Sequence, residues 1–260
     1  MPLAFKDFSA WIEVDGSELP LFDVNVEGNE VSCWIPSEVG KAFIVKVRTG
    51  ERRTPKSLGL YMDGQSFGGK FMDTGAPRTC TFAGVRTSAT TQQPFVFSNV
   101  ELTDDDEYLS QATAGLGDIK LVIWHATFRR LKRRTFGKHD TIGKVHEKSK
   151  KVTGHKIGLG NDRRVPAADP QKTKSTRHDV IVSFIFRYRP LDLLRANGIA
   201  PPAPRLGNAV KPEVLDLTGD SEEEDIHRMR SLEEELEQLR RKRRKTHHVK
   251  TEPELKPEPA

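Results

Sequence analysis

From Asp7 to about Val100, apolar and polar residues alternate in short runs separated by turn residues. FSAWIEVDG sets Phe8, Ala10, Ile12 and Val14 on one face before Asp15-Gly16 ends the run. LPLFDVNVEGN repeats the pattern with Phe22, Val24 and Val26, EVSCWIP with Val31, Cys33 and Ile35, and KAFIVKV with Phe43, Val45 and Val47. SLGLYMDG, QSFGGKFMD, RTCTFAGVRT and QPFVFSNVEL continue it. Successive side chains point to opposite faces of a strand, so a period of two reads as strands with one buried face. Gly, Asp and Pro at intervals of roughly 8 to 12 residues read as the turns between them. The pattern predicts a mainly β fold, an antiparallel β-sandwich of jelly-roll kind.

Two later runs differ. DIKLVIWHATF from Asp118 and DVIVSFIFRY from Asp179 are apolar on both faces, as central strands covered on both sides must be. They bracket residues 129–178, read as a long basic insertion before the last strand. Gly143, Gly154, Gly158 and Gly160 alternate with polar residues there, which predicts a partly mobile ribbon. LTDDDEYLSQA, residues 102–112, breaks the alternation and predicts a short helix capped by Asp104 to Asp106. Those three aspartates lack the alternate spacing, Gly and closing Glu of a calcium loop.

The sandwich is expected over residues 1–196, a Pro-rich linker over 197–213, and a disordered tail over 214–260. One helix is expected in the tail, over 221–245. Ser221 and Glu224 make a capping box, and Met229, Leu232, Leu236 and Leu239 hold an a/d spacing. Two heptads are marginal for a coiled coil, which leaves a lone solvated helix or weak dimerisation.

Composition narrows the class. Two cysteines, Cys33 and Cys80, are too few for a zinc-bound RING or a disulfide scaffold. Both lie in alternating strands, where a free cysteine is normally a small core hydrophobe. The chain begins MPLAFKDFSAW, with no secretory pattern, and no apolar run is long enough to span a membrane. A protein with no membrane partner is expected. No GxSxG, GxxxxGK[ST] or HExxH motif occurs, so neither an enzyme nor a cofactor is indicated. His125 reads as a satisfied sheet histidine. His139, His146 and His155 lie among cations, with few carboxylates or thiolates to complete a metal site.

Several segments together resemble an uncharacterised fungal domain of unknown function, of a type widespread in basidiomycetes. They are AWIEVDG near the start, CWIPSEVGKAF at 33–43, FVFSNVELTDDDEYL at 95–109, LGDIKLVIW at 116–124 and VHEKSKKVTGHKIGLG at 145–160. The resemblance implies a β-rich domain from a fungal source and carries no reaction.

The net charge of +5 conceals a segregation. Between Arg129 and Arg177 stand sixteen Lys and Arg against four Asp and Glu, so the rest of the chain is acidic on balance. Arg129, Arg130, Lys132, Arg133, Arg134, Lys150 and Lys151 are candidate contacts to the phosphates of nucleic acid or another polyanion. The competing reading is a solvated basic loop. Arg240, Arg241, Lys242, Arg243, Arg244 and Lys245 form a dense basic run of the composition that nuclear import receptors read, which predicts a nuclear location.

Val214, Leu215, Asp216, Leu217 and Thr218 run into GDSEEED, and together they resemble a SUMO-interacting motif. In that family an apolar tetrapeptide adds a strand to the edge of the modifier's sheet, its backbone supplying affinity and its side chains filling a groove. Asp220, Glu222, Glu223 and Glu224 supply the acidic flank, and Ser221 suits an acid-directed kinase whose phosphate would add to it. The modification consensus, a large apolar residue, Lys, any residue and Glu, recurs at Val210-Lys211-Pro212-Glu213, Val249-Lys250-Thr251-Glu252 and Leu255-Lys256-Pro257-Glu258. Average composition would match roughly 1 to 2% of lysines, so three matches in one tail exceed chance. The sequence therefore points first to a non-enzymatic nuclear adaptor that binds SUMO and carries it on Lys211, Lys250 or Lys256. A DNA- or chromatin-associated protein acting through the basic insertion is the alternative, and a carbohydrate-binding or hydrolytic jelly roll is third.

Overall fold

The computed structural model describes residues 1–105, 115–131, 141, 143–146, 154–167, 172–203 and 222–247. The chain divides into two units, Met1–Ala203 and Pro204–Ala260.

The first unit is mainly β. One six-stranded sheet runs in the order β4 (Phe22–Glu27), β5 (Glu30–Ser37), β17 (Lys172–Pro190), β13 (Asp118–Leu131), β7 (Lys56–Met62) and β8 (Gln65–Met72). A nine-stranded sheet is built on β1 (Leu3–Phe5), β2 (Phe8–Val14), β6 (Ala42–Thr49), β11 (Thr91–Asn99) and β10 (Gly84–Arg86). To it β3 (Ser17–Glu18) is added beside β2, β9 (Arg78–Phe82) beside β6, and both β15 (His155–Leu159) and β16 (Arg163–Arg164) beside β11. A small parallel pair joins β12 (Glu101–Thr103) to β14 (Lys144–His146).

The turns follow from local chemistry. Asp15-Gly16 (φ 49° and 81°) and Asp63-Gly64 (φ 51° and 79°) both take two successive left-handed residues, the geometry that matches the twist of a two-residue hairpin. They close β2 onto β3 and β7 onto β8.

Alternation places one face of each sheet against the other. Leu58, Leu60 and Met62 of β7, Ile119, Leu121 and Ile123 of β13, and Val182, Phe184 and Phe186 of β17 share one buried cluster with Ile12, Phe43, Val45, Phe95 and Phe97 of the nine-stranded sheet. Rings meet across the gap, Phe97 against Tyr188 at 5.3 Å and Phe67 edge-on to Phe95 at 5.6 Å. Each fully buried phenylalanine contributes about 1.5–3 kcal/mol of transfer free energy, so this cluster dominates the stability of the unit.

The structure corrects four expectations. β17 pairs with β5 in parallel, Ser183 opposite Glu30 through Pro190 opposite Ser37, so the six-stranded sheet is mixed and not purely antiparallel. Period-two alternation fixes which face a residue takes but carries no strand direction. Second, the 129–178 segment is not wholly an excursion from the sheets. Residues 129–131 and 172–178 continue β13 and β17, while β15 pairs with β11 from His155 opposite Asn99 to Leu159 opposite Phe95. Ile157 is fully buried there. Gly158 is a packing requirement: a Cβ on it would meet Ser98 Oγ at 2.4 Å. Third, Leu102 and Thr103 extend β12 and do not begin a helix; Thr103 Oγ1 accepts from the Asp105 amide, and the rest of that expected helix, 106–112, lies outside the described residues. Fourth, Val24 and Val26 of β4 are exposed, so this alternating run on an edge strand does not turn its apolar face into the core. His125 is a sheet histidine on β13 opposite Lys56, exposed but with its Nδ1 3.1 Å from Lys56 Nζ.

Pro190 leads into a short helix, α1 (Leu191–Ala196), whose Leu194 is buried. In the second unit α2 occupies Glu222–His247, where the capping box and heptad spacing placed a helix over 221–245. Neither helix is long and apolar enough to cross a membrane.

Candidate functional site

β13 pairs with β7 only from Ile119 to His125, but with β17 all the way to Leu131. Past His125 the two strands therefore continue as a two-stranded antiparallel ribbon. Its rungs are Ala126 opposite Arg177, Thr127 opposite Thr176, Phe128 opposite Ser175, Arg129 opposite Lys174, Arg130 opposite Thr173 and Leu131 opposite Lys172. Thr127, Arg129, Lys174, Thr176, Arg177 and His178 are exposed.

The root of this ribbon is held by specific contacts. The Arg177 guanidinium lies 4.0 Å over the Trp124 ring and donates to Tyr61 Oη at 3.0 Å. The absence of a side chain at Gly59 makes room, since a Cβ there would sit 2.8 Å from the Trp124 ring. Phe71 packs against Phe128 with the rings tilted by 41°, and the hydroxyls of Ser57 and Ser175 meet at 3.2 Å. Lys56, largely buried beneath, donates to Thr54 Oγ1 at 2.5 Å and lies 3.1 Å from His125 Nδ1. Burial lowers its pKa.

The charge pattern on this ribbon has a cost. Arg129 and Lys174 are directly opposed cations, a pairing that destabilises an antiparallel ladder. An anion bridging the two would remove that repulsion. A two-stranded antiparallel β-ribbon is, as a class, an element that the major groove of a duplex admits.

A second polar constellation is structural. Asp63 Oδ1 accepts from Tyr188 Oη and from the Gly117 amide at 2.8 Å, and Oδ2 accepts from the Ile157 amide at 2.7 Å. One buried carboxylate thus ties the β7–β8 turn to the start of β13, to β15 and to β17. Nearby, Ser37 Oγ lies 2.7 Å from His155 Nδ1, linking β5 to β15; burial lowers the His155 pKa. Ser37 is itself buried, which suits a tether better than a nucleophile. Cys33 is buried in the core with its thiol pushed up to about 12 by desolvation, and Cys80, partly buried against the same core, is raised by the same cause. Neither is poised as a thiolate.

Of the polyanion candidates, Arg129 and Arg130 stand on the ribbon, while Lys132, Arg133, Arg134, Lys150 and Lys151 lie outside the described residues. Lys174 and Arg177 join the cationic surface and were not singled out in the sequence. The alternating basic residues of KTKSTRHD were the available signal. Lys156, from the same insertion, turns inward: it is mostly buried, donates to the Gly143 carbonyl at 3.0 Å and lies 3.8 Å from Glu101.

Val214, Leu215, Asp216, Leu217, Asp220, Ser221, Lys211, Lys250 and Lys256 lie outside the described residues. Glu222, Glu223 and Glu224 begin α2, and the basic run Arg240–Lys245 lies within it, Arg240 and Arg241 exposed. His139 also lies outside the described residues. His146 is on β14 and His155 on β15, and the described residues contain no group of His, Cys, Asp or Glu able to hold a metal ion.

No curated protein and no solved structure matches the chain. A family model described as a domain of unknown function, DUF7918, matches residues 8–203. That span covers nearly all of the β-rich unit, and the chain belongs to this family.

Proposed function

We propose that the protein is a non-enzymatic nuclear adaptor that binds SUMO through Val214–Thr218 and can itself be sumoylated. The observation carrying this reading is the apolar strand motif, set between an acceptor consensus at Lys211 and the acidic first turn of α2. Added as an extra strand, the segment would pair its backbone with the edge of the modifier's sheet and place Val214, Leu215 and Leu217 against an apolar groove. Asp216, Asp220 and Glu222 to Glu224 would steer it toward a basic rim. The basic run on α2 supplies the import signal. Calorimetric titration of the full chain with SUMO tests the idea: Leu215→Ala with Leu217→Ala should abolish the heat of binding, and unchanged binding by this variant refutes it.

A second reading has its own observation, the opposed Arg129 and Lys174 on the ribbon. In it the β-sandwich, read here as jelly-roll-like, binds nucleic acid or another polyanion through the insertion, and the tail regulates it. Absence of DNA binding even at low salt would eliminate that reading. The carbohydrate-binding or hydrolytic reading gains nothing from the tryptophans of the six-stranded sheet. Trp34 carries the guanidinium groups of Arg187 and Arg189 at 5.7 and 5.2 Å, and Trp124 carries that of Arg177.

A further inference from the structure

Along α2, Met229, Leu232, Leu236 and Leu239 follow a spacing of three, four and three residues, which assigns them to positions a, d, a and d of two heptads. All four are exposed, at 66, 57, 54 and 63%. A solvated helix gains nothing from a row of large apolar side chains at this period, and the flanking charges identify what would cover it. Arg228 falls at g and Glu233 at the following e; Glu235 falls at the next g and Arg240 at the following e. In a parallel two-stranded coil, each g residue faces the succeeding e residue of the partner helix. Both such contacts, Arg228 with Glu233 and Glu235 with Arg240, are then opposite in sign, and each occurs twice by symmetry. An antiparallel pair centred on the same apolar seam would bring Glu233 to Glu233 and Glu235 to Glu235, like against like.

We propose that α2 pairs with α2 of a second copy of this chain as a parallel two-stranded coiled coil. With only two heptads of seam, the association is weak and concentration-dependent. It has a consequence that rests on the SUMO reading. Thr218 stands four residues before Glu222, so a parallel pair places two strand motifs at the same end of the coil. Two linked SUMO units would then be engaged together, raising apparent affinity over a single unit by about 10²-fold or more.

Sedimentation equilibrium of the full chain across a concentration series tests the pairing. The mass should climb toward twice 29.3 kDa as concentration rises; a constant mass of one chain overturns the proposal. Two charge-swapped full-length chains test the register. Glu233→Arg with Arg240→Glu, and separately Arg228→Glu with Glu235→Arg, should each remain monomeric, yet mix to a heterodimer. Swapped chains that self-associate as well as the parent, or that fail to combine, contradict a parallel coil. Helicity by circular dichroism distinguishes loss of pairing from loss of the helix. The SUMO consequence separates cleanly: Leu215→Ala with Leu217→Ala should lose SUMO and keep the dimer. Either charge-swapped chain alone should keep single-SUMO affinity and lose the preference for the linked form, and retention of that preference overturns the bivalent arrangement.

Discussion

The phenol of Tyr188 donates its proton to the Asp63 carboxylate across 2.5 Å, joining two residues 125 positions apart. Because Asp63 also accepts from the amides of Gly117 and Ile157, this one carboxylate fixes where β13 begins and where the returning strand β15 docks. Removing the phenol leaves Asp63 with two of its three donors, and a buried acceptor losing a partner costs about 1–3 kcal/mol. Tyr188→Phe should lower stability by that amount in urea unfolding. Asp63→Asn should cost more, since an amide cannot present acceptors to all three donors. Equal or smaller loss for Asp63→Asn would show that the carboxylate is not the organising group.

Burial raises the Asp63 carboxyl above its ordinary 3.8, and it does so despite the three hydrogen bonds that pull the other way. The folded chain therefore holds this proton at a pH where the unfolded chain has released it. The resulting contribution to stability is fully present below the unfolded value and is lost as pH rises through the raised folded value. The difference between the wild-type and Asp63→Asn stability profiles should accordingly fall as pH increases from about 3.8 and then level off. A difference that rises through this window contradicts the assignment.

Gly158 faces Ser98 Oγ so closely that a Cβ would meet it at 2.4 Å. Gly158→Ala should destabilise the domain by about 1–3 kcal/mol, the usual range for overpacking. The obstacle is a side chain, so Ser98→Gly in the same chain should recover most of the loss. Thermal denaturation of the two single variants and the double variant decides the point. Additive losses would mean that the two positions do not meet.

On the ribbon, Arg129→Gln with Lys174→Gln removes two cations that repel each other. Stability should stay unchanged or rise slightly, because like charges opposed on a ladder are unfavourable. If the ribbon binds duplex DNA, the same variant should weaken binding at every sequence and flatten the slope of log K against log salt by about 0.9 for each phosphate no longer neutralised. Fluorescence anisotropy across a salt series measures both. An unchanged slope would place DNA binding elsewhere on the protein.

Much of this fold can be read from periodicity. Most alternating runs through Val100 became strands with the expected inward faces, though Val24 and Val26 of edge strand β4 are exposed, and the doubly apolar runs after Asp118 and Asp179 became the two central strands. The capping box at Ser221 and the leucine spacing marked α2. Long-range relationships left no local trace. Nothing in CWIPS or FIFRYRP announces that these segments run parallel, and Asp63 reads as an ordinary hairpin residue until Tyr188, Gly117 and Ile157 are brought to it. At Gly158 and Gly160 a close neighbour asks for a small residue, and in one dimension such a glycine looks the same as one in a loop. The ribbon was half visible: its charge was plain, but its strand character depends on pairing between residues more than forty positions apart, as with Arg129 and Lys174.

Strand addition by Val214–Thr218 is tested most directly by following the backbone amides of isotopically labelled SUMO during titration with the full chain. Shifts should concentrate along one edge strand of the modifier and the apolar groove beside it, and should vanish with Leu215→Ala and Leu217→Ala. Absence of shifts with the unmodified chain, or shifts that persist in the double variant, would contradict it.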